Sequence, residues 1–378
     1  MTDWRKEWFE IEDAIYLNVA GQAPLPRAAV RAAQQALEWK KFPHRIPESE
    51  YFELPARVRN SLARLIGAQP EEIALATGAS GGLQIAATRL ELRPGDEVLI
   101  ARGEFPAHFA TWLPMQSAAG ITVRIVAPRG RFLTADDFLE HITPRTRLIS
   151  ASLVRFNDAA RLDARPVADA VHAVRGYLLL DASQCAGAMP FDVASLGCDF
   201  LVSAGYKWLL SPYGTGFFWV RGSLAGKLRE GPVYWQSLKD AASFHTLSSG
   251  RHDVSDGLRR WDSPETASFL NLAAMDASLE FLLRAGVETI WRHNRRLIAE
   301  FIRRLPLDRC VLGSPADPDA RGPFVCVQSR TPEGTQALFE KLLKANIIIS
   351  LRDAGLRISP HLYNSERDLD RLLTVLTV

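Results

Sequence analysis

The chain has 378 residues, of which 47% are hydrophobic and 23% charged, with a formal net charge of +2. This composition describes a globular protein with one large α/β domain or two domains. The near-balanced charge argues against an electrostatic grip on nucleic acid, leaving room only for a local patch. The opening MTDWRKEWFEIED is charged and lacks the apolar core of a secretory signal. No run of about 18 apolar residues is present, so no membrane span and a cytoplasmic location are expected. The four cysteines, Cys185, Cys198, Cys310 and Cys326, show no CxxC pairing. That spacing argues against a zinc site, any other metal centre or a disulfide framework.

In chain order, Pro24-Leu-Pro26 opens a helix over 27–39, and 54–66 has helical spacing ending at Gly67, a natural C-cap. Residues 73–77 read as a short apolar strand, Gly78-Ala-Ser-Gly-Gly82 as the turn after it, and 83–90 as a helix. Strands follow at 96–101, 121–126 and 146–152, then a helix at 166–175 and strands at 177–181, 200–203 and 216–220. This alternation predicts a mainly parallel sheet covered on both faces. Beyond about residue 255 the pattern changes. Helices are expected at 269–283, 287–305, 333–345 and 366–376, with strands at 324–328 and 347–351. The expected organisation is α/β: a large domain over 16–255 and a smaller α+β domain over 256–378, with residues 1–15 packing against the latter.

The chemistry-bearing residues fall at strand ends, where open parallel sheets bind their ligands. Asp181 ends the run Tyr-Leu-Leu-Leu, and Lys207 follows a second apolar run in Ser203-Ala-Gly-Tyr-Lys207. A buried ammonium is costly unless it is neutralised or bonded. One chemistry uses both groups: pyridoxal phosphate takes a lysine for its Schiff base and a carboxylate at its pyridine nitrogen. Thr77-Gly-Ala-Ser-Gly-Gly82 opens a helix, and its free amides and the helix dipole suit a phosphate. Each feature alone has a plainer explanation. The turn is then only tight, Asp181 a helix cap or structural ion pair, Lys207 a surface lysine and Phe105 a core aromatic.

Taken in order, Thr77-Gly-Ala-Ser80, Glu104-Phe105-Pro, Asp181-Ala-Ser-Gln184, Ser203-Ala-Gly-Tyr-Lys207 and Pro212-Tyr-Gly-Thr-Gly216 resemble the class V aminotransferase family of fold-type I pyridoxal phosphate enzymes. Tyr16-Leu-Asn-Val-Ala20 with Pro24-Leu-Pro26 resembles the family's N-terminal signature, and Leu356-Arg-Ile-Ser-Pro-His-Leu-Tyr-Asn364 its C-terminal one. The resemblance covers nearly the whole chain and looks nearest to the isopenicillin N epimerase-like and cysteine desulfurase-like branches. It implies a homodimer with active sites at the interface. It also implies an amino-acid substrate, carried through an external aldimine and Cα deprotonation.

The resemblance further implies roles for individual residues. Lys207 forms the internal aldimine and then moves protons, while Asp181 keeps the pyridine nitrogen protonated. Gln184 bonds the phenolic oxygen, and Phe105 stacks on the ring where relatives often place histidine. Ala79, Ser80, Ser203 and Tyr206 hold the phosphate, with Tyr206 standing where desulfurases carry histidine. Thr266 reaches the partner subunit's phosphate, and Asn157 is a further cofactor contact. Arg357 clamps the substrate carboxylate, with Arg352 a second candidate.

Two departures bear on the reaction. The segment Ser350-Leu-Arg-Asp-Ala-Gly-Leu-Arg357 lacks the nucleophilic cysteine of desulfurases, and Cys326 sits in an apolar strand pattern. The segment 153–160 differs from the polar stretch of relatives, which points to altered specificity. Transamination is the leading expectation, with a C–S lyase or an epimerase as alternatives. A non-catalytic protein retaining the fold is a reading of another class, which retention of both Asp181 and Lys207 opposes. A nicotinamide dehydrogenase ranks below these because no GxGxxG follows the first strand.

Overall fold

The computed structural model describes residues 4–248, 252–265, 268–331 and 333–377. Seven strands form the main sheet: β1 (Ile73–Ala76), β2 (Glu97–Ala101), β3 (Thr122–Val126), β4 (Thr146–Ser152), β5 (Tyr177–Asp181), β6 (Phe200–Ala204) and β7 (Gly216–Val220). Their order across the sheet is β1-β7-β6-β5-β4-β2-β3. All neighbours run parallel except β7, which is antiparallel to both β1 and β6. Every residue of β6 and nearly all of β4 and β5 are buried, as expected for strands covered on both faces. The outer strand β3 is largely uncovered, as an edge strand is.

Two apolar layers sandwich this sheet. One holds Ile149, Leu178, Leu180 and Leu201 together with residues of α2 (Glu50–Ile66), which α1 (Arg27–Lys41) precedes in the chain; the other holds Leu148, Leu179, Phe200 and Val202. Helix α2 closes at Gly67 in the left-handed region, φ 70°, where a side chain would be strained. At the opposite edge, β1 offers its free backbone to the loop that precedes residue 265. Leu75 N donates to Asp262 Oδ1 at 2.8 Å, Ser263 N donates to Leu75 O at 2.9 Å, and Arg59 pairs with Asp262. The edge is thereby protected from pairing with another chain.

The turn expected at 78–82 is mostly helix. Helix α3 spans Ala79–Arg89, and Gly78 alone makes the corner at φ 142°. A glycine adopts that angle without the steric cost a Cβ imposes, so the chain enters the helix directly from β1. Helix α4 (Pro106–Ala119) was not anticipated. It carries Pro114 in its interior and apolar residues on all sides, so no amphipathic period marks it. Pro106 supports its start, because a first-turn proline loses no intrahelical bond.

After α5 (Ala164–Ala173), α6 (Phe269–Ala285) packs on α1 and α2 and shares the core of α2 through Leu272, Met275 and Leu279. Helix α7 (Val287–Arg303) leads to a four-stranded antiparallel sheet of β8 (Cys310–Leu312), β9 (Val325–Ser329), β10 (Ser350–Arg352) and β11 (Gly355–Ile358), in the order β10-β11-β9-β8. Helices α8 (Gly334–Lys344) and α9 (Glu366–Thr377) complete a third core with Val325, Val327, Leu342, Leu356 and Leu372. The stretch 347–351, read as one strand, divides. Ile347–Ile348 pairs with Ile15–Tyr16, and Ser350–Arg352 enters the small sheet. A uniformly apolar run does not reveal which partner each half meets.

The segment 17–23 is stitched to both sheets. Ser359 N donates to Leu17 O at 2.9 Å, and Ala23 N donates to Tyr206 O at 2.9 Å. Trp8 and Phe9 pack on Phe281, with ring centroids 5.2 Å and 5.5 Å away, and Phe9 also meets Tyr363 at 4.9 Å.

The first residue of β7 passes close to its neighbours. A Cβ on Gly216 would lie 2.4 Å from Ser203 O and 2.7 Å from Gly78 Cα, both backbone atoms. Gly216→Ala is therefore expected to destabilise the fold by about 1–3 kcal/mol, as overpacking does. Urea unfolding checks this, and an unchanged midpoint would contradict the close approach.

Candidate active site

The carboxyl ends of β1, β2, β4, β5 and β6 converge, and the charged residues sit there. Asp181 is the last residue of β5, and its Oδ1 accepts from Ser183 N at 2.8 Å. Ser183 Oγ in turn accepts from Ala204 N at 2.9 Å, which binds the ends of β5 and β6 together. The segment after β6 is pinned on both sides. Gly205 N donates to Thr215 O at 2.8 Å, and a Cβ at Gly205 would collide with Thr215 Oγ1 at 2.1 Å. Trp208 is buried and donates from Nε1 to Gln184 Oε1 at 3.1 Å. Lys207 lies between these anchors, only 7% exposed.

That burial decides the charge of Lys207. Loss of water around the ammonium pulls its pKa from 10.5 to about 8, against the pull of Asp181 and with help from Arg357 and Arg352. A useful fraction of neutral amine therefore exists near neutral pH. Asp181 shows the opposite balance. Burial raises its pKa, but His108, Lys207 and the Ser183 amide outweigh this and hold it below the usual carboxylate value.

Several other anticipated residues gather around this pair. The Phe105 ring centroid lies 5.2 Å from Lys207 Nζ, and Phe105 meets Phe156 edge-on at 5.3 Å. The Tyr206 ring lies 5.6 Å from the same nitrogen and packs on Tyr213 at 4.6 Å. Gln184 is held by Trp208 on one side and donates from Nε2 to Ala20 O at 3.1 Å, leaving one amide N–H uncommitted. Ser203 is wholly buried near the end of β6, its Oγ donating to Ala204 O at 3.2 Å. Ala79 and Ser80 open α3, whose N-cap Gly78 provides no side-chain partner. A Cβ built on Gly78 would meet nothing nearer than Thr215 O at 4.0 Å, so there is open space at this helix N-terminus. Thr266 lies outside the described residues.

Arg357 comes from β11 of the small sheet, 1% exposed. Its Nε donates to Ser350 Oγ at 3.1 Å and its Nη1 to Phe156 O at 2.9 Å; among the described residues Nη2 has no hydrogen-bond partner. Only the end-on face of the guanidinium therefore remains open to a carboxylate. Arg352 is partly exposed, and its Nη1 bonds its own strand at Leu351 O, 2.6 Å away. Asn157 has a buried Oδ1 without a partner among the described residues, and its backbone carbonyl accepts from Cys326 Sγ at 3.1 Å. Cys326 is fully enclosed on β9 opposite Arg357, and burial pushes its thiol up to about 12. A thiol held so far from its thiolate is a poor nucleophile.

Sequence reasoning passed over His108, Ser150 and Arg155. His108 lies on the first turn of α4, while Glu104 sits two residues before that helix begins; the two side chains meet there, with Nε2 4.0 Å from Glu104 Oε2. The contact was hidden because α4 itself has no amphipathic period.

The sequence profile of the family described as Aminotransferase class-V matches residues 15–372. The chain belongs to the class V aminotransferase family. Isopenicillin N epimerase from Streptomyces clavuligerus is 28% identical, over 96% of this chain and 94% of its own length. A probable cysteine desulfurase from Methanothermobacter thermautotrophicus is 26% identical, over 79% of this chain and 74% of its own length. The solved complex of the cystine C–S lyase C-DES with its reaction product cysteine persulfide has a TM-score of 0.87 at 23% identity, with 97% of each chain covered, a likeness of fold. Class V enzymes depend on pyridoxal 5′-phosphate. The chemistry of the site fits that group: an amine that can be neutral, a buried carboxylate kept ionised, and open space at an uncapped helix N-terminus. No helix among the described residues is long and apolar enough to cross a membrane.

The depressed lysine is directly measurable. After reductive methylation with labelled formaldehyde, the Lys207 signal, assigned by its absence in Lys207→Ala, is expected to titrate near pH 8. A midpoint with the surface lysines, near 10.5, would show that burial does not control this amine.

Proposed function

We propose that this protein transforms an amino acid at Cα with pyridoxal phosphate, and that transamination is its reaction. The reading rests on one arrangement: Lys207, buried and with its pKa drawn down to about 8, lies near the ionised Asp181 and near Arg357, whose buried Nη2 has no hydrogen-bond partner among the described residues. The cofactor, when bound, supplies an electron sink for the charge that develops as the Cα–H bond breaks. In this reading Lys207 holds the cofactor aldehyde and then carries the proton from Cα. Asp181 sits at the pyridine nitrogen, and Gln184 offers its free N–H to the phenolic oxygen. The α3 N-terminus at Ala79 and Ser80, with Ser203 and Tyr206, receives the phosphate, and Phe105 lies along the ring. Asn157 offers its unpartnered Oδ1 as a further contact. Arg357 orients the substrate by its carboxylate, with Arg352 adding positive potential nearby.

Transamination moves a proton between two carbons on one side of the cofactor, which one amine can do. Phe105 has no proton to exchange, and Cys326 is enclosed and kept as a thiol. Both features disfavour a mechanism through a cysteine-bound persulfide or a second base. Epimerisation is the second reading. Its support is the 28% identity to isopenicillin N epimerase along 94% of that enzyme. A homodimer belongs to the proposal by the family resemblance. Sedimentation giving a concentration-independent monomer would remove it.

Incubating the cofactor-loaded protein with a panel of amino acids discriminates the outcomes. Conversion of the bound cofactor to pyridoxamine phosphate, with release of a 2-oxo acid, is expected. Loss of optical rotation without oxo acid would favour epimerisation, and pyruvate with sulfide would favour C–S cleavage. Lys207→Ala is expected to abolish turnover. Arg357→Lys keeps the charge but loses the planar fork, so kcat/KM should fall roughly 10- to 100-fold, mainly through KM. An unchanged KM would place the substrate carboxylate elsewhere.

A further inference from the structure

Behind Asp181 lies a buried line of alternating charges, of which His108 and Arg155 fall outside the family motifs. His108 is fully enclosed. Its Nδ1 is 2.8 Å from Ser150 Oγ, and that hydroxyl also accepts from Trp112 Nε1 at 2.9 Å. Its Nε2 faces two carboxylates, Asp181 Oδ2 at 3.8 Å and Glu104 Oε2 at 4.0 Å, and has no hydrogen-bond partner among the described residues. Glu104 is itself held. It accepts from Ser152 N at 2.9 Å and Ser152 Oγ at 2.5 Å, and Arg155 Nη1 lies 3.8 Å from its Oε1. Arg155 donates to the carbonyls of Arg102 and Gly103 at 2.9 Å and 3.2 Å, and its Nε lies 3.4 Å from Asp158 Oδ2. Lys207 is also near enough to Asp181 to help lower its pKa.

Electrostatics decides what the imidazole must be. Two carboxylates that approach one nitrogen in a dry interior repel each other, and a single neutral N–H cannot offset both. Burial alone would discharge His108, yet the two acids outweigh it and raise its pKa above 6.5. The Ser150 hydroxyl suits a charged ring, because it can accept from His108 Nδ1–H and Trp112 Nε1–H together.

We propose that His108 is a positioning residue for the cofactor: held as an imidazolium between Glu104 and Asp181 and steered by Ser150, it keeps Asp181 an ionised, oriented acceptor for the pyridine nitrogen. The proposal rests on the reading of Asp181 given above. If the imidazolium is removed, Asp181 loses the cation that faces its Oδ2 and takes up a proton more readily. The pyridine nitrogen then loses its counter-charge, although no atom that touches the cofactor has been altered.

The test uses holoenzyme loaded with ring-nitrogen-labelled pyridoxal phosphate, followed by 15N NMR between pH 6 and 9, with cofactor affinity measured by fluorescence. The wild type is expected to keep its ring nitrogen protonated throughout. His108→Gln, uncharged and of similar size, should release the cofactor more readily, by roughly 10- to 100-fold as for other outer-layer partners of a bound group. Its ring nitrogen should lose the proton within the range. Glu104→Gln and Ser150→Ala should move both readouts in the same direction by less. A ring nitrogen in His108→Gln that stays protonated like the wild type, in protein that melts normally, would overturn the proposal. If His108→Gln does not fold, Ser150→Ala decides, and unchanged readouts there would overturn it equally. Absence of cofactor uptake by the wild type would instead overturn the cofactor reading, and this inference with it.

Discussion

Placing an amine and a carboxylate side by side in a dry interior is the constraint on which the rest of this molecule depends. Asp181 ends β5 and Lys207 follows β6 by three residues; these neighbouring parallel strands are buried, so neither charge has bulk water to lean on. The fold resolves this differently for the two groups. The lysine sheds part of its charge, while the aspartate keeps its own because His108 and the Ser183 amide favour the anion. Such opposed environments for two adjacent titratable groups give a site that can both accept and donate protons near neutral pH.

Holding those groups in place takes a second tier of contacts that are chemically inert. Ser183 ties the end of β5 to the end of β6, Gly205 locks against Thr215, and Trp208 is gripped by Gln184. The N-terminal segment bridges from Ala20, beside Gln184, to Ser359 of the small sheet. Arg357 crosses in the other direction, from the small sheet to the carbonyl of Phe156 beyond β4. The site is thus assembled from sequence regions far apart, and hydrogen bonds join its parts.

Much of this organisation was legible beforehand. The mainly apolar runs of β5 and β6 announce strands covered on both faces, and chemically active side chains must then fall at their ends. Helix α4 was not legible: Pro114 and an all-round apolar surface remove the periodicity by which helices are read. With α4 unseen, the meeting of Glu104 and His108 was unseen as well. Arg155 was passed over for a related reason. Its role comes from facing Glu104, and nothing in the segment 153–160 states that the two meet.

The sequence by itself determined the chain order of the seven main-sheet strands, the positions of Asp181, Lys207 and Arg357 along the chain, and the absence of a cysteine in the segment 350–357. These are properties of local pattern and residue type, which a linear chain displays directly. Only the tertiary structure decided that Cys326 is sealed opposite Arg357, that Arg357 keeps one face of its guanidinium open, and that a histidine stands between two acids behind Asp181. Charge state is set by distance and dehydration, and both arise only when segments remote in sequence close around one another.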